Sequence, residues 1–121
     1  MAATVADIMA KPVVTAAPAT TVGEARRLLR NGWIRHLPVL DGELLVGMVS
    51  DRNLREAPSD SVPLREIMTR PVFILSPATP LKRAARLFRD RRFGAAPVLD
   101  GRRLIGMVSI VDIVGALAER A

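Results

Sequence analysis

The chain has 121 residues, enough for one domain of ordinary size or for two half-domains that share a core. Half of the residues are apolar and a quarter are charged, a globular composition, and the net charge of +6 comes almost wholly from arginine. The lack of cysteine excludes disulfides, thiolate metal sites and thiol catalysis, and a single histidine, His36, excludes a multi-histidine metal centre. The only aromatics are Trp33, Phe73, Phe88 and Phe93, so the core must be built mostly from Val, Ile, Leu, Met and Ala. No signal-peptide pattern opens the chain, and no apolar run approaches the roughly 20 residues of a bilayer span. The expectation is a soluble cytoplasmic protein.

In chain order, a short helical turn ends at Ile8-Met9, and Pro12 stops it because a residue before proline is driven out of the α region. Val13-Val14-Thr15 reads as a brief extended run. A helix follows, started either by Thr20 or by Thr21, whose spacing to Glu24 is that of a capping box. Its buried face is Val22, Ala25, Leu28 and Leu29, with arginines opposite. Apolar runs Leu37–Leu40 and Leu44–Ser50 flank Asp41-Gly42, a hairpin signal. Within the second run, Leu45–Val49 is apolar without alternation, as in a strand buried on both faces. A closing helix begins after Ser50.

The same order then recurs 59 residues later without a gap. Ile67-Met68-x-x-Pro71-Val72 repeats Ile8-Met9-x-x-Pro12-Val13, and Ala84-x-Arg86-Leu87-x-Arg89 repeats Ala25-x-Arg27-Leu28-x-Arg30. Pro97-Val98-Leu99-Asp100-Gly101 repeats Pro38-Val39-Leu40-Asp41-Gly42, and Gly106-Met107-Val108-Ser109 repeats Gly47-Met48-Val49-Ser50. Thr79 with Pro80 at the first helical position is the expected start of the second long helix, which buries Leu81, Ala84, Ala85 and Phe88. Residues 1–57 and 64–121 are thus two copies joined by a polar connector, 58–63. Each copy alone buries too little surface to be comfortable, so the two are expected to share one core.

Catalytic patterns are missing: there is no Ser-His-Asp order, no His-Glu-x-x-His and no P-loop. The informative segments are the two strand-to-helix junctions, Ser50-x-x-Asn53 and Ser109-x-x-Asp112. A serine there serves as an N-cap, and Asp112 would complete a capping box. The same geometry offers free amides and a hydroxyl to an anion, with a carboxylate one turn inside to accept hydroxyl hydrogen bonds.

Two copies of Pro-Val-Leu-Asp-Gly followed by Gly-Met-Val-Ser-x-x-Asp/Asn resemble the cystathionine-β-synthase (CBS) domain, which usually occurs as a tandem pair, the Bateman module. The resemblance covers essentially the whole chain. It implies an α+β fold of two β-α-β-β-α repeats, paired by pseudo-twofold symmetry into one α/β sandwich module. It also implies a regulatory role: binding of AMP, ADP, ATP or S-adenosylmethionine in clefts between repeats, with no obligatory cofactor and no enzymatic activity. Ser109 and Ser50 would approach phosphate, and Asp112 and Asn53 the ribose. The asparagine departs from the pattern and loses a charge-assisted bond, so the junction at Asp112 is expected to be the better nucleoside site.

Arg35 and His36 match a segment in which family members often carry phosphate-reaching basic residues; the second copy reads Phe93-Gly94-Ala95-Ala96-Pro97 there. The runs around Thr15 and Ile74 correspond to the adenine seat. The resemblance further implies a homodimer and an unknown effector protein, with Met9 and Met68 supplying apolar contact and Trp33 serving as a core or dimer anchor. Two competing readings stand beside it. One is nucleic-acid binding, supported only by basic charge and lacking stacking aromatics; the other is a purely structural dimerisation module.

Overall fold

Val22, Ala25 and Leu29 recur at the spacing of one helical face, and all three are buried where they fall on α1 (Val22–Gly32) in the computed structural model, which describes residues 3–119. The chain continues through β1 (His36–Asp41) and β2 (Leu44–Ser50) into a short α2 (Asp51–Arg55). The second copy repeats the order with α3 (Leu81–Arg91), β3 (Ala95–Asp100), β4 (Arg103–Ser109) and α4 (Ile110–Glu119). One 3₁₀ turn leads each copy, Val5–Asp7 and Leu64–Glu66. The fold is mixed, with two small antiparallel sheets.

The helix starts settle what the sequence left open. Thr21 caps α1: its Oγ1 accepts from the Glu24 amide at 3.2 Å and donates to the Glu24 carboxylate at 3.1 Å. The Thr20 hydroxyl instead accepts from the Ala17 amide at 3.0 Å. Thr79 does not cap α3. Pro80 is itself the extended residue before the helix, and the Thr79 hydroxyl lies 3.0 Å from that of Ser76. Both long helices end on a left-handed residue, Trp33 at φ 55° and Arg92 at φ 57°, a conformation that costs a non-glycine residue roughly 1–2 kcal/mol.

Trp33 is therefore no core anchor. It is 94% exposed, because Ile34, next in the chain, takes the inward place against α1. The Ile34 amide bonds to the Leu29 carbonyl at 3.0 Å, which fixes that turn.

In each hairpin the turn lies one residue later than the Asp-Gly pair suggests. Asp41 pairs with Leu44 and Asp100 with Arg103, so Gly42-Glu43 and Gly101-Arg102 are the two central residues. Gly42 at φ 62° and Gly101 at φ 64° supply the positive dihedral that such a turn requires of its first central residue. A bulge follows in both, where Val46 and Ile105 are the extra residues of β2 and β4. Burial on β2 is confined to Gly47, Met48 and Val49; Leu44 is exposed and Leu45 and Val46 are half-buried, so only the second half of that strand is covered on both faces.

The expected first strand of each copy shrinks to one bridging residue. Ala16 joins β1 in parallel, its amide bonding to Pro38 and its carbonyl to Leu40, and Leu75 joins β3 in the same way. The far edges of β2 and β4 are closed by antiparallel bridges, Met48 to Thr69 and Met107 to Ala10.

Those last bridges show how the chain is partitioned. One compact unit is the continuous stretch Val14–Val72; the other joins the residues up to Val13 to those from Phe73 onward. Each leading segment therefore packs on the hairpin of the other copy. Met68 lies over Gly47 and Met9 over Gly106, so closely that a Cβ built on either glycine would collide with the methionine Sδ and Cγ. Both methionine side chains thus cover strand backbone within their own unit and are half-buried there.

Gly47→Ala should lower unfolding free energy by about 1–3 kcal/mol, the usual cost of overpacking. In urea unfolding, combining it with Met68→Ala should cost less than the sum of the two single changes, because the second change removes the atoms that the new methyl strikes.

Candidate functional site

The two strand-to-helix junctions share a backbone but differ in what their side chains are doing. In the first, Ser50 caps α2 with a reciprocal set of bonds. The Asn53 amide donates to Ser50 Oγ at 3.2 Å, while Asn53 Oδ1 accepts from the Ser50 amide at 2.8 Å and from the Ser50 hydroxyl at 2.9 Å. Its carbonyl oxygen is thereby fully engaged. In the second junction the Asp112 amide donates to Ser109 Oγ at 3.1 Å, but the carboxylate does not reach back. The capping box expected there is half-formed. Asp112 is exposed, and among the described residues its carboxylate has no hydrogen-bond or ion-pair partner.

His36 begins β1 directly opposite Ser50, and Ala95 stands opposite Ser109. The register thus makes Gly94 and Ala95 the counterparts of Arg35 and His36. His36 is half-buried, and burial first, then the neighbouring Arg35 charge, holds its imidazole below the ordinary value of 6.5. It is neutral at neutral pH.

Arg35 is exposed and its carbonyl accepts from the Asp51 amide at 3.0 Å. Its side chain lines an open groove of about 300 Å³ together with Arg26, Leu29, Arg30, Ile34 and Asp51. Ser50, Asn53 and His36 do not line it, so Arg35 is gathered with the α1 arginines and not with the capping pair. Arg26 is the tethered member, its Nη2 donating to the Leu54 carbonyl at 2.7 Å with Asp60 Oδ1 3.6 Å from Nε. Sequence reasoning missed Arg26, Arg30 and Asp51. A signal was present, since Arg26 and Asp51 answer to Ala85 and Ile110 in the otherwise faithful second copy.

Thr15 and Ile74 each precede the bridging residue of their unit. Among the described residues neither has a backbone hydrogen-bond partner, and Ile74 is 45% exposed. Thr15, Arg35, His36, Ser50 and Asn53 lie in the unit Val14–Val72, whereas Ile74, Ser109 and Asp112 lie in the other. No group of three metal-ligating side chains occurs among the described residues, and no helix there is long and apolar enough to cross a membrane.

The family model of the CBS domain matches residues 5–60 and again residues 64–119. The chain belongs to the CBS domain family, as a tandem pair. Its sequence is 32% identical over 114 residues to the A-adding tRNA nucleotidyltransferase of Geobacter sulfurreducens; the match takes in 92% of this chain but only 13% of that enzyme. Its structure resembles the CBS domain pair of protein MJ0100 in complex with 5′-methylthioadenosine and S-adenosyl-L-methionine, with a TM-score of 0.92, 29% identity and full coverage of both chains. It is also similar to CBSX2 in complex with AMP, with a TM-score of 0.87, 29% identity and 98% of each chain covered.

Two measurements follow from the junctions. Ser50→Ala should cost about 1 kcal/mol in urea unfolding, the ordinary worth of an N-cap. The His36 pKa is lowered on folding, so the unfolded chain binds the extra proton and stability falls as pH drops below 6.5. Unfolding midpoints of His36→Gln should lack that component of the acid dependence.

Proposed function

We propose that the chain is a regulatory module, not a catalytic one, that binds an adenosyl ligand (AMP, ADP, ATP or S-adenosylmethionine) and passes its occupancy to an effector protein. Two copies of the chain form the working homodimer. The observation that carries this reading is the unpartnered carboxylate of Asp112 beside the start of a helix. A carboxylate at that place accepts two hydroxyl hydrogen bonds, and charge-assisted bonds are roughly twice as strong as neutral ones. Ser109 Oγ already accepts from the Asp112 amide, yet its hydroxyl hydrogen remains available to a phosphate oxygen.

The first junction is the weaker site. Asn53 can accept from a ribose hydroxyl only by giving up the two bonds its oxygen makes to Ser50, which leaves its neutral NH2 to donate a weaker bond. Thr15 and Ile74 offer unpaired backbone groups to the edge of an adenine ring, which reads the base without charged side chains. We assign Arg35 and His36 to the phosphates of a ligand at the first junction, the neutral imidazole as a hydrogen-bonding group beside Ser50 and the guanidinium as a charge reaching across from its groove. The ligands of the two similar structures, 5′-methylthioadenosine with S-adenosyl-L-methionine and AMP, share the adenosyl group on which this reading rests.

Thermal unfolding with each of the four ligands is the direct test. A ligand at 100 times its dissociation constant should add about 2.7 kcal/mol of stability. If none of them moves the midpoint, the reading fails. Asp112→Ala should abolish most of the shift while changing the ligand-free midpoint little. Asn53→Ala should do the reverse, lowering the ligand-free midpoint by breaking the cap and leaving the ligand shift largely intact. Equal loss of binding in the two variants would remove the distinction between the junctions.

A further inference from the structure

The two long helices occupy equivalent places in the two copies, yet they present different surfaces to water. α3 and its cap expose Lys82, Arg83, Arg86, Arg89, Arg91 and Arg92 against one acid, Asp90. The residues at the same register of α1 and its cap are Gly23, Glu24, Arg27, Arg30, Gly32 and Trp33, with Asn31 in place of the acid. Nothing in the shared scaffold requires the additional cations of α3.

Lys82, Arg83, Arg86 and Arg89 fall on one stripe of the helix, opposite the buried Leu81, Ala84 and Phe88. At a rise of 1.5 Å per residue the stripe is about 10 Å long. Arg89 has a carboxylate beside it, Asp90 at 3.0 Å, and Arg91 lies over the Phe73 ring at 5.5 Å. Among the described residues Lys82, Arg83, Arg86 and Arg92 make no ion pair. Like charges three and four residues apart on a helix each cost a few tenths of a kcal/mol. A row of anions laid along the stripe relieves that repulsion.

The chemistry selects the kind of anion. Five of the six cations are arginines, whose planar fork binds two phosphate oxygens at once. Stable anchoring at a membrane surface calls for an apolar face beside the cations, and that face of α3 is already buried in the protein's own core. The stripe is a straight, regularly spaced array, and each strand of a duplex carries one charge per about 3.4 Å of helix axis, so some three phosphates fall within its length. A second copy of this basic chain repels it. We propose that the exposed face of α3 binds the sugar–phosphate backbone of a nucleic acid. With no aromatic side chain on the stripe, it does so without reading bases. The site shares no residue with the adenosyl-binding junctions, so either proposal can fail alone.

The test is fluorescence anisotropy with a labelled oligothymidylate and a labelled duplex, each of about 20 nucleotides per strand, across a salt series. Binding should weaken with salt along a log–log slope of about −2 to −4, as release of counterions from three or four phosphates requires. Lys82→Glu/Arg86→Glu/Arg89→Glu should lose about tenfold or more in affinity and flatten the slope by about 2–3. Arg27→Glu/Arg65→Glu, at exposed positions off α3 and outside the Arg35 groove, should stay within about twofold of the parent. Circular dichroism checks that the variants fold; if the glutamate triple does not, the corresponding glutamine triple should show the same loss. Retained affinity in the α3 variant overturns the proposal. So does equal binding of poly-L-glutamate, which would mark an acidic-protein surface, or equal binding of phosphatidylserine vesicles.

Discussion

In each unit one methionine resting on one glycine, Met68 on Gly47 and Met9 on Gly106, holds the leading segment against the hairpin. Without a side chain at Gly47, the Met68 segment comes close enough for Thr69 and Met48 to exchange backbone hydrogen bonds of 2.8 and 3.0 Å, which closes the open edge of β2. Gly106, Met9 and Ala10 repeat the arrangement on β4. A two-stranded hairpin is marginal by itself, and each gains a neighbour on both sides from a single residue of extended chain. The strand-to-helix turns, and with them Ser50 and Ser109, lie only a residue or two beyond the bonds at Met48 and Met107. The geometry of the two candidate junctions therefore rests on an apolar contact that carries no chemistry of its own.

The fold was largely legible because its signals were local and written twice. Apolar spacing identified the buried faces of α1 and α3, and Asp-Gly between apolar runs identified the hairpins. The errors arose where a longer-range contact decided the outcome. Nothing local says that Ile34 and not Trp33 turns inward, since both are large and apolar and only the left-handed turn between them sorts the two. The placement of Met9 and Met68 depended on glycines nearly 100 and about 20 residues away. Thr79 was misread because a threonine before Pro-Leu looks like a cap until its neighbour Ser76 takes the hydroxyl.

The candidate site was legible in part for a related reason. The family pattern named the residues but not their state. Asn53 and Asp112 differ by one atom type in sequence, whereas in space one is locked into a cap and the other points to solvent. The second copy serves as an internal reference throughout. Most of the positions at which the copies agree build a core or a turn. Where they disagree, at Asn53, Arg35, Asp51 and the outer face of α3, the scaffold is indifferent and a different demand has chosen the residue.

The exchange of leading segments has a consequence for how the chain comes into being. The stretch Val14–Val72 is continuous, so every residue of that unit has emerged before the second hairpin is made, and it can close while synthesis proceeds. The residues up to Val13 are translated before that unit but belong with β4, and Ala10 must wait for Met107. A segment made before the Val14–Val72 unit is thus placed only after that unit can close. Until then β4 has an uncovered edge, and the nascent chain passes through a stage with one half finished and the other open.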